Sequence, residues 1–293
     1  LATAIGILTG AALAISLPAQ DASFWGGSYK LLADQIFGWT TSAVTEPIVL
    51  ASGPEACSSG GFGTAISVGA GANPNSVSVG LINNDGFMDL AITNQNSSNV
   101  DVRLGDGTGG FTSVPAVSVG GGPTSSAFGD FNEDGNADIV VANFASNNVS
   151  LLLGNGAGGF NPAVNFSVAP AQPYGIATGD FNSDFNDDIV VTGGNSNNIL
   201  LLFGDGLGSF GSPVPVAVGS NNGALRVGDL NVDGKPDIVV TRVPNQVTTL
   251  LGDGVGGFGA PVSYTVGSSP ASVAIGNFNG DAAPDLAVAN TVS

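Results

Sequence analysis

The hydrophobic pattern divides the chain in two. Residues 1–17 form one apolar run without a single charge, ended by Pro18. From Pro47 onward the apolar residues come in short runs separated by clusters of Gly, Asn, Asp and Ser. Short apolar runs bounded by turn residues predict β-strands. The punctuation between them recurs. Leu81-Ile-Asn-Asn-Asp-Gly-Phe-Met-Asp89 is followed by Asp130-Phe-Asn-Glu-Asp-Gly-Asn-Ala-Asp138 and Asp180-Phe-Asn-Ser-Asp-Phe-Asn-Asp-Asp188. Asp229-Leu-Asn-Val-Asp-Gly-Lys-Pro-Asp237 and Asn277-Phe-Asn-Gly-Asp-Ala-Ala-Pro-Asp285 complete the set. Their first positions lie 49, 50, 49 and 48 residues apart. A fixed period of this size marks one supersecondary unit, repeated and stacked.

A second marker keeps the same period: Leu104-Gly-Asp-Gly-Thr-Gly-Gly-Phe111, Leu153-Gly-Asn-Gly-Ala-Gly-Gly-Phe160, Phe203-Gly-Asp-Gly-Leu-Gly-Ser-Phe210 and Leu251-Gly-Asp-Gly-Val-Gly-Gly-Phe258. Asp-Gly and Asn-Gly between apolar runs predict hairpin turns, because these residues tolerate positive φ. For the second repeat the predicted strands lie near Ser125–Gly129, Asp138–Asn143, Val149–Leu153 and Ala163–Val168. Four short strands per repeat around an axis make a propeller blade. The expected fold is therefore all-β: a five-bladed β-propeller of four-stranded blades over residues 47–293.

The ends of the pattern fit one another. The last repeat stops after its second strand, at Val288–Ser293, and the strand Pro47–Leu50 with Gly60-Gly-Phe62 stands at the other end. Phe62, Phe111, Phe160, Phe210 and Phe258 then give five marks for five loops. Pairing the N-terminal strands with the C-terminal repeat would close the ring and leave no open edge. The alternative passes that strand to a neighbouring subunit.

Residues 1–46 form a separate region. Residues 1–17 predict an apolar helix, read as a packed assembly element, a membrane anchor or a leader remnant. A short helix is expected from Ser28, as N-cap, to Phe37, with Leu31, Leu32 and Ile36 on one stripe. Trp25 and Trp39 flank it, in a docking surface or an ordinary capped linker.

Charge narrows the function. Lys and Arg total 5 against 23 Asp and Glu, a formal charge of −18. That excludes nucleic acid as a partner, which needs a basic surface. The repeated loops hold 13 of the 23 acids at their first, fifth and ninth positions, so most of the charge awaits cations. There is no His, and Cys57 is the one Cys, which removes His-based acid–base chemistry, Cys-rich zinc sites and any intrachain disulfide. Such a composition suits an extracellular or cell-surface structural protein.

The loops have a chemistry of their own. Oxygen-bearing side chains fall at positions one, three, five and nine, with Gly at the sixth in most copies. A hard cation such as calcium takes six to eight oxygens at about 2.3–2.6 Å. These repeats resemble the FG-GAP/VCBS family, the calcium-loop blades of integrin α-chain heads and many secreted bacterial proteins. The resemblance covers about residues 47–293 and implies a propeller with calcium between the first and second strands of each blade. Family members more often have seven blades, so five is a departure. Position by position, the implied side-chain ligands are Asn83, Asp85 and Asp89 in the first loop, and Asp130, Asn132, Asp134 and Asp138 in the second, with the Asn136 carbonyl. In the third they are Asp180, Asn182, Asp184 and Asp188, in the fourth Asp229, Asn231, Asp233 and Asp237, and in the fifth Asn277, Asn279, Asp281 and Asp285. Phe185, in place of the turn Gly, should strain or reshape the third loop. Three to five structural Ca2+ ions follow, held best by the second, third and fourth loops, which carry the most carboxylates. The first and fifth loops are otherwise empty Asx-turns. Residues 1–17 also resemble the apolar N-terminal helix of type IV pilins, although Ile5 stands where bacterial members carry an acid.

No unrepeated set of acid, base and nucleophile appears, so catalysis is not expected. The leading expectation is a secreted subunit of a filament or pilus-like fibre, self-associating through residues 1–46. The alternative is a surface adhesin whose propeller loops recognise glycan or protein; Tyr174 and Arg226 are the candidates that break repeat symmetry. Sequons at Asn96, Asn148 and Asn165 would permit N-glycosylation, less readily at Asn148 and Asn165, which lie at or beside predicted strands.

Overall fold

The computed structural model describes residues 48–51 and 65–292 apart from residues 170, 195 and 221. The helices expected within residues 1–46 lie outside the described residues, as does Phe62. The described residues form strands, turns and loops without a helix.

The chain opens with β1 (Ile48–Ala51) and β2 (Ala65–Val68), paired antiparallel with Ile48 opposite Val68. The first blade follows: β3 (Pro74–Gly80), β4 (Asp89–Asn94), β5 (Asn99–Gly105), β6 (Phe111–Ser113) and β7 (Val117–Ser118), in which β6 and β7 share the outer edge of β5. The second is β8 (Pro123–Gly129), β9 (Asp138–Asn143), β10 (Asn148–Leu152) and β11 (Val164–Ser167). The third is β12 (Pro173–Gly179), β13 (Asp188–Gly193), β14 (Asn198–Leu202) and β15 (Val214–Ala217). The fourth is β16 (Asn222–Gly228), β17 (Asp237–Arg242), β18 (Gln246–Leu250) and β19 (Val262–Thr265). A fifth unit holds β20 (Ser268–Gly276) and β21 (Asp285–Val292). The second to fourth sheets are antiparallel meanders of four strands. In the second blade the observed strands match the expected ones to within two residues at each end.

The core lies between sheets. β9 is buried along its whole length, and successive side chains of a strand point to opposite faces. Val140 and Ala142 pack with Ile176, Ile189 and Val191 of the third blade. Ile139 and Val141 pack with Val100 and Val102 of the first. This explains why the second strand of a blade reads as a continuous apolar run: both of its faces are covered. Innermost strands pack in sequence, β3 on β8, β8 on β12, β12 on β16 and β16 on β20. Small polar side chains knit that hub. The Ser78 and Ser126 hydroxyls lie 2.7 Å apart, and Thr178 Oγ1 donates to the Phe128 carbonyl at 3.1 Å.

Every blade also carries a register shift at the start of its innermost strand, and in four of the five that strand begins near a proline: Pro74, Pro123, Pro173 and Pro270. Proline is tolerated at a strand start or a bulge, where no ladder hydrogen bond is lost.

The expected closing pair is not formed among the described strands. β1 pairs with β2, and β21 pairs with β20 alone.

The inter-blade packing sets measurable energies. Phe131 is 2% exposed and meets the Phe210 ring edge-on with centroids 5.3 Å apart. Phe131→Ala should lower the unfolding free energy by about 3–5 kcal/mol in urea titrations. Val164→Ala, on the outermost strand, should change it by less than about 0.5 kcal/mol.

Candidate metal centre

Each repeated loop joins the innermost strand of a blade to the next strand, so all five stand at one end of the sheets. The Gly-rich turns join the third and fourth strands of a meander and therefore share that end.

The second loop shows how its residues are held. Asp130 accepts the N–H of Asp134 on Oδ1 at 3.1 Å and that of Gly135 on Oδ2 at 2.9 Å. Asn132 Oδ1 accepts the Asp134 N–H at 3.3 Å, and Asp134 Oδ1 accepts the Asn136 N–H at 2.8 Å. Asn132 Nδ2 donates to Asp134 Oδ2 at 3.0 Å. Positions one, three and five thus curl the backbone around themselves through successive Asx-turns. The Asn136 N–H holds the exposed Asp134 carboxyl below the usual carboxylate range.

Position nine behaves differently. Asp138 is fully buried; its Oδ2 accepts the Phe131 N–H at 2.9 Å and its Oδ1 the Gly154 N–H at 2.7 Å. One carboxylate therefore bolts the loop to the Gly-rich turn. Asp89, Asp188 and Asp237 repeat the clasp onto Gly105, Gly204 and Gly252 at 2.8 Å each. Burial is the largest influence on Asp138 and raises it to about 6, against the two N–H bonds, with nearby Asp134 and Asp130 adding to the rise. Asp188 is raised to about 6 by the same combination, with Asp184 and Asp180 nearby.

The first glycine of each turn is there for closeness. A Cβ on Gly154 would lie 2.2 Å from the Ala137 carbonyl oxygen, and one on Gly204 would lie 2.3 Å from that of Asp187. The turns are hairpins, as expected, and each is held by its Asp or Asn side chain. Asp106 Oδ1 accepts the N–H groups of Thr108 and Gly110, and the Asp106 N–H reaches the Gly110 carbonyl. Positive φ falls on Gly107 and Gly109, so the Asp is present for its side-chain acceptor.

The first and fifth loops depart as their sequences do. Loop one has Leu81 at position one and no acceptor there for the loop N–H groups, although Asn83 and Asp85 keep their bonds. In loop five, Asn277 accepts instead from the Gly280 N–H, at 2.6 Å, and its Nδ2 donates to the Asp281 carbonyl. Loop three keeps its shape despite Phe185, whose N–H still reaches Asp180 Oδ2 at 3.0 Å. It does so at φ 72°, so the substitution strains the loop without reshaping it.

In kind, the donor set fits a hard cation: carboxylate and amide oxygens only, with the negative charge of three acids felt within one loop. In arrangement, those oxygens are turned onto the loop's own N–H groups. Among the described residues no three acidic side chains converge as a ligand cluster.

Of the other sequence-stated candidates, Asn96 lies exposed in a turn between β4 and β5. Asn148 Oδ1 accepts from Asn143 and Ser146, and Asn165 Oδ1 accepts from Ser150 at 2.6 Å. Tyr174 lies at the start of the innermost strand β12, at the end away from its loop, and Arg226 lies on β16 three residues before Asp229.

Meander sheets packed face to face around their innermost strands define a protein of the β-propeller type. A family model described as an FG-GAP-like repeat matches residues 82–141, 130–191, 180–240 and 229–288, and the chain belongs to that family. No curated protein matches it. Among solved structures, a protein from Lactobacillus plantarum is similar with a TM-score of 0.55 at 16% identity, over 73% of this chain and 63% of its own. An Agrocybe aegerita lectin, described as recognising non-reducing terminal N-acetylglucosamine, gives 0.50 at 19% identity over 79% of this chain and 63% of its own. A putative 6-phosphogluconolactonase from Bacteroides uniformis gives 0.50 at 18% identity over 73% and 64%. The chain thus spans less than two thirds of these proteins, and the likenesses are of fold.

The clasp predicts a ranking within one loop. Asp138→Ala strands two buried N–H groups and should cost about 2–5 kcal/mol in urea titrations without added metal. Asp134→Ala, which is exposed, should cost less than about 1 kcal/mol under the same conditions.

Proposed function

We propose that the chain is a non-catalytic extracellular structural protein, a calcium-stabilised propeller that assembles into fibres through residues 1–46. One observation carries this reading: the polar constellations of the loops recur in blades two, three and four with the same hydrogen bonds, as braces do. A catalytic site would instead stand out from the repeat.

In this reading Asp130, Asn132, Asp134 and Asp138 hold one ion, as do the matching residues of the third and fourth loops. The ion supplies positive charge that offsets the crowded carboxylates and ties the loop ends together. The first and fifth loops bind more weakly. Ions that bind only the folded state stabilise it by mass action, each by about 2.7 kcal/mol at a hundredfold excess over Kd. Chelation should therefore lower Tm by many degrees, and elemental analysis should find at least three calcium ions per chain. An unchanged Tm with no metal found would leave the loops as self-satisfied Asx-turns.

The ring closes, in this proposal, at five blades. Within the chain each loop's second residue lies under the turn phenylalanine of the next blade: Ile82 clusters with Phe160, and Phe181 meets Phe258 at 5.8 Å. The same rule sets Phe278 under Phe111. Phe278 is 61% exposed in the open arrangement. If closure holds, Phe278→Ala costs about as much as Phe131→Ala, roughly 3–5 kcal/mol; a cost below about 1 kcal/mol means that no blade covers it.

Assembly is tested by negative-stain microscopy of native material with and without chelator. Regular fibres of stacked beads are expected, with glycan, where added, at Asn96. Dispersed rings under both conditions would favour the second reading, a surface adhesin. That reading has a specific support of its own, since repeat symmetry breaks on the loop face of blades three and four.

A further inference from the structure

The break lies in four side chains at the tips of neighbouring loops. Phe185 is 91% exposed, Leu207 83%, Val255 77% and Val232 63%. Phe185 and Val232 sit in the third and fourth repeated loops; Leu207 and Val255 sit in the Gly-rich turns of the same blades. Contacts join these loops in a row. A Cβ on Gly206, beside Leu207, would lie 2.4 Å from Asn186 Oδ1, beside Phe185. Ser183 Oγ, two residues before Phe185, donates to the Gly254 carbonyl at 2.9 Å, beside Val255. A Cβ on Gly254 would in turn lie 3.1 Å from Lys235 Cδ in the loop that holds Val232.

The other blades show what this scaffold needs at those positions. Where Phe185 stands, the first, second and fourth loops have Gly86, Gly135 and Gly234; where Leu207 and Val255 stand, the first and second turns have Thr108 and Ala157. Val232 corresponds to Asn84, Glu133, Ser183 and Gly280. Two of the four apolar residues are also strained. Phe185 has φ 72° and Val232 φ 61°, a region that disfavours bulky and β-branched side chains. Strain retained without burial belongs to function more often than to folding, and contiguous exposed apolar tips mark interaction surfaces.

The surroundings select the partner. Outside the proposed ion ligands Asp180, Asp184, Asp188, Asp229, Asp233 and Asp237, the same loops still carry Asp187, Asp205 and Asp253, against Lys235 as their one cation. An anionic lipid surface meets repulsion there, and so does a second copy of a chain with formal charge −18. We propose that this face docks a cationic amphipathic segment of a partner protein, its apolar side chains seated among Phe185, Leu207, Val232 and Val255 and its Lys or Arg residues meeting the carboxylate rim. The proposal rests on the adhesin reading for its biological use and adds the chemistry of the partner.

The test uses substitutions drawn from the chain's own repeats: F185G, L207T, V232N and V255A together, which leave the net charge unchanged. The probe is a labelled amphipathic helical peptide of about 18 leucine and lysine residues, followed by fluorescence anisotropy. Saturable binding to the wild-type chain is expected, weakened by ~10-fold or more in the fourfold variant. F185G and V232N singly should raise Tm while weakening the peptide, which separates lost binding from lost folding. Equal affinity for both proteins would overturn the proposal, since net charge alone would then explain binding. Absence of binding would overturn it too, as would apolar-patch-dependent binding to phosphatidylcholine vesicles in place of the peptide. A glycan array that responds equally to wild type and variant would keep the adhesin reading and remove this surface from it.

Discussion

The buried carboxylate at the ninth loop position is the constraint on which each of the first four blades depends. A charge-bearing group removed from water is costly unless its oxygens are bonded, and here both are. Asp138 receives the Phe131 N–H from its own loop and the Gly154 N–H from the turn of the same blade. Because the donors come from two connections, the carboxylate aligns the end of the first pair of strands with the end of the second. The close approach of Gly154 to the Ala137 carbonyl follows from that alignment, which is why glycine opens every turn. The packing between blades then builds on it. Phe131, whose N–H is bonded, is the side chain that meets Phe210 of the next blade.

Much of this was legible in the residues alone. The period identified the repeat, and the apolar runs located strands such as Asp138–Asn143 to the residue. The family model agrees on the repeat. The clasp was less legible, because a ligand at position nine and a buried acceptor at position nine look identical as an Asp in a spacing pattern. Which N–H groups reach it depends on a turn 16 residues away, a tertiary fact. The Gly-rich turns are hairpins as read, but the part played by their Asp was not legible, for a related reason. Asp-Gly is a strong local sign of a tight hairpin, and here the Asp side chain also gathers two N–H groups of the turn. The closing pair read from the ends of the pattern is not formed among the described strands, where β1 pairs with β2 and β21 with β20 alone.

The loops present a balance between two ways of satisfying the same oxygens. Carboxylate oxygens carry more than one lone pair, so an N–H bond and a cation are compatible on one side chain. What a cation changes is the electrostatic cost of the acids in each loop. Asp138 and Asp188 are raised by burial first and by neighbouring carboxylates in addition. A divalent ion reverses the sign of the second influence. The first and fifth loops lack the position-one carboxylate, with Leu81 and Asn277 in its place, and so have less repulsion to relieve. Their geometry departs in the same direction, most visibly where Asn277 turns to Gly280.

The same repetition makes exceptions interpretable. In a single-copy fold an exposed Phe with positive φ has no internal control, whereas here three equivalent glycines show the conformation that the loop requires. Phe185 keeps with Asp180 the hydrogen bond that Gly135 and Gly234 make with Asp130 and Asp229, so the backbone gains nothing from the larger residue. Its ring is nearly all in solvent, so the core gains nothing either. Val232 repeats the case one blade on, with a β-branched side chain where the loop tolerates Asn, Glu, Ser or Gly. Two strained apolar residues on adjoining loops, each without a folding benefit, are a pattern that stability alone disfavours at both positions. The benefit must lie outside the folded chain, at the surface where these side chains project.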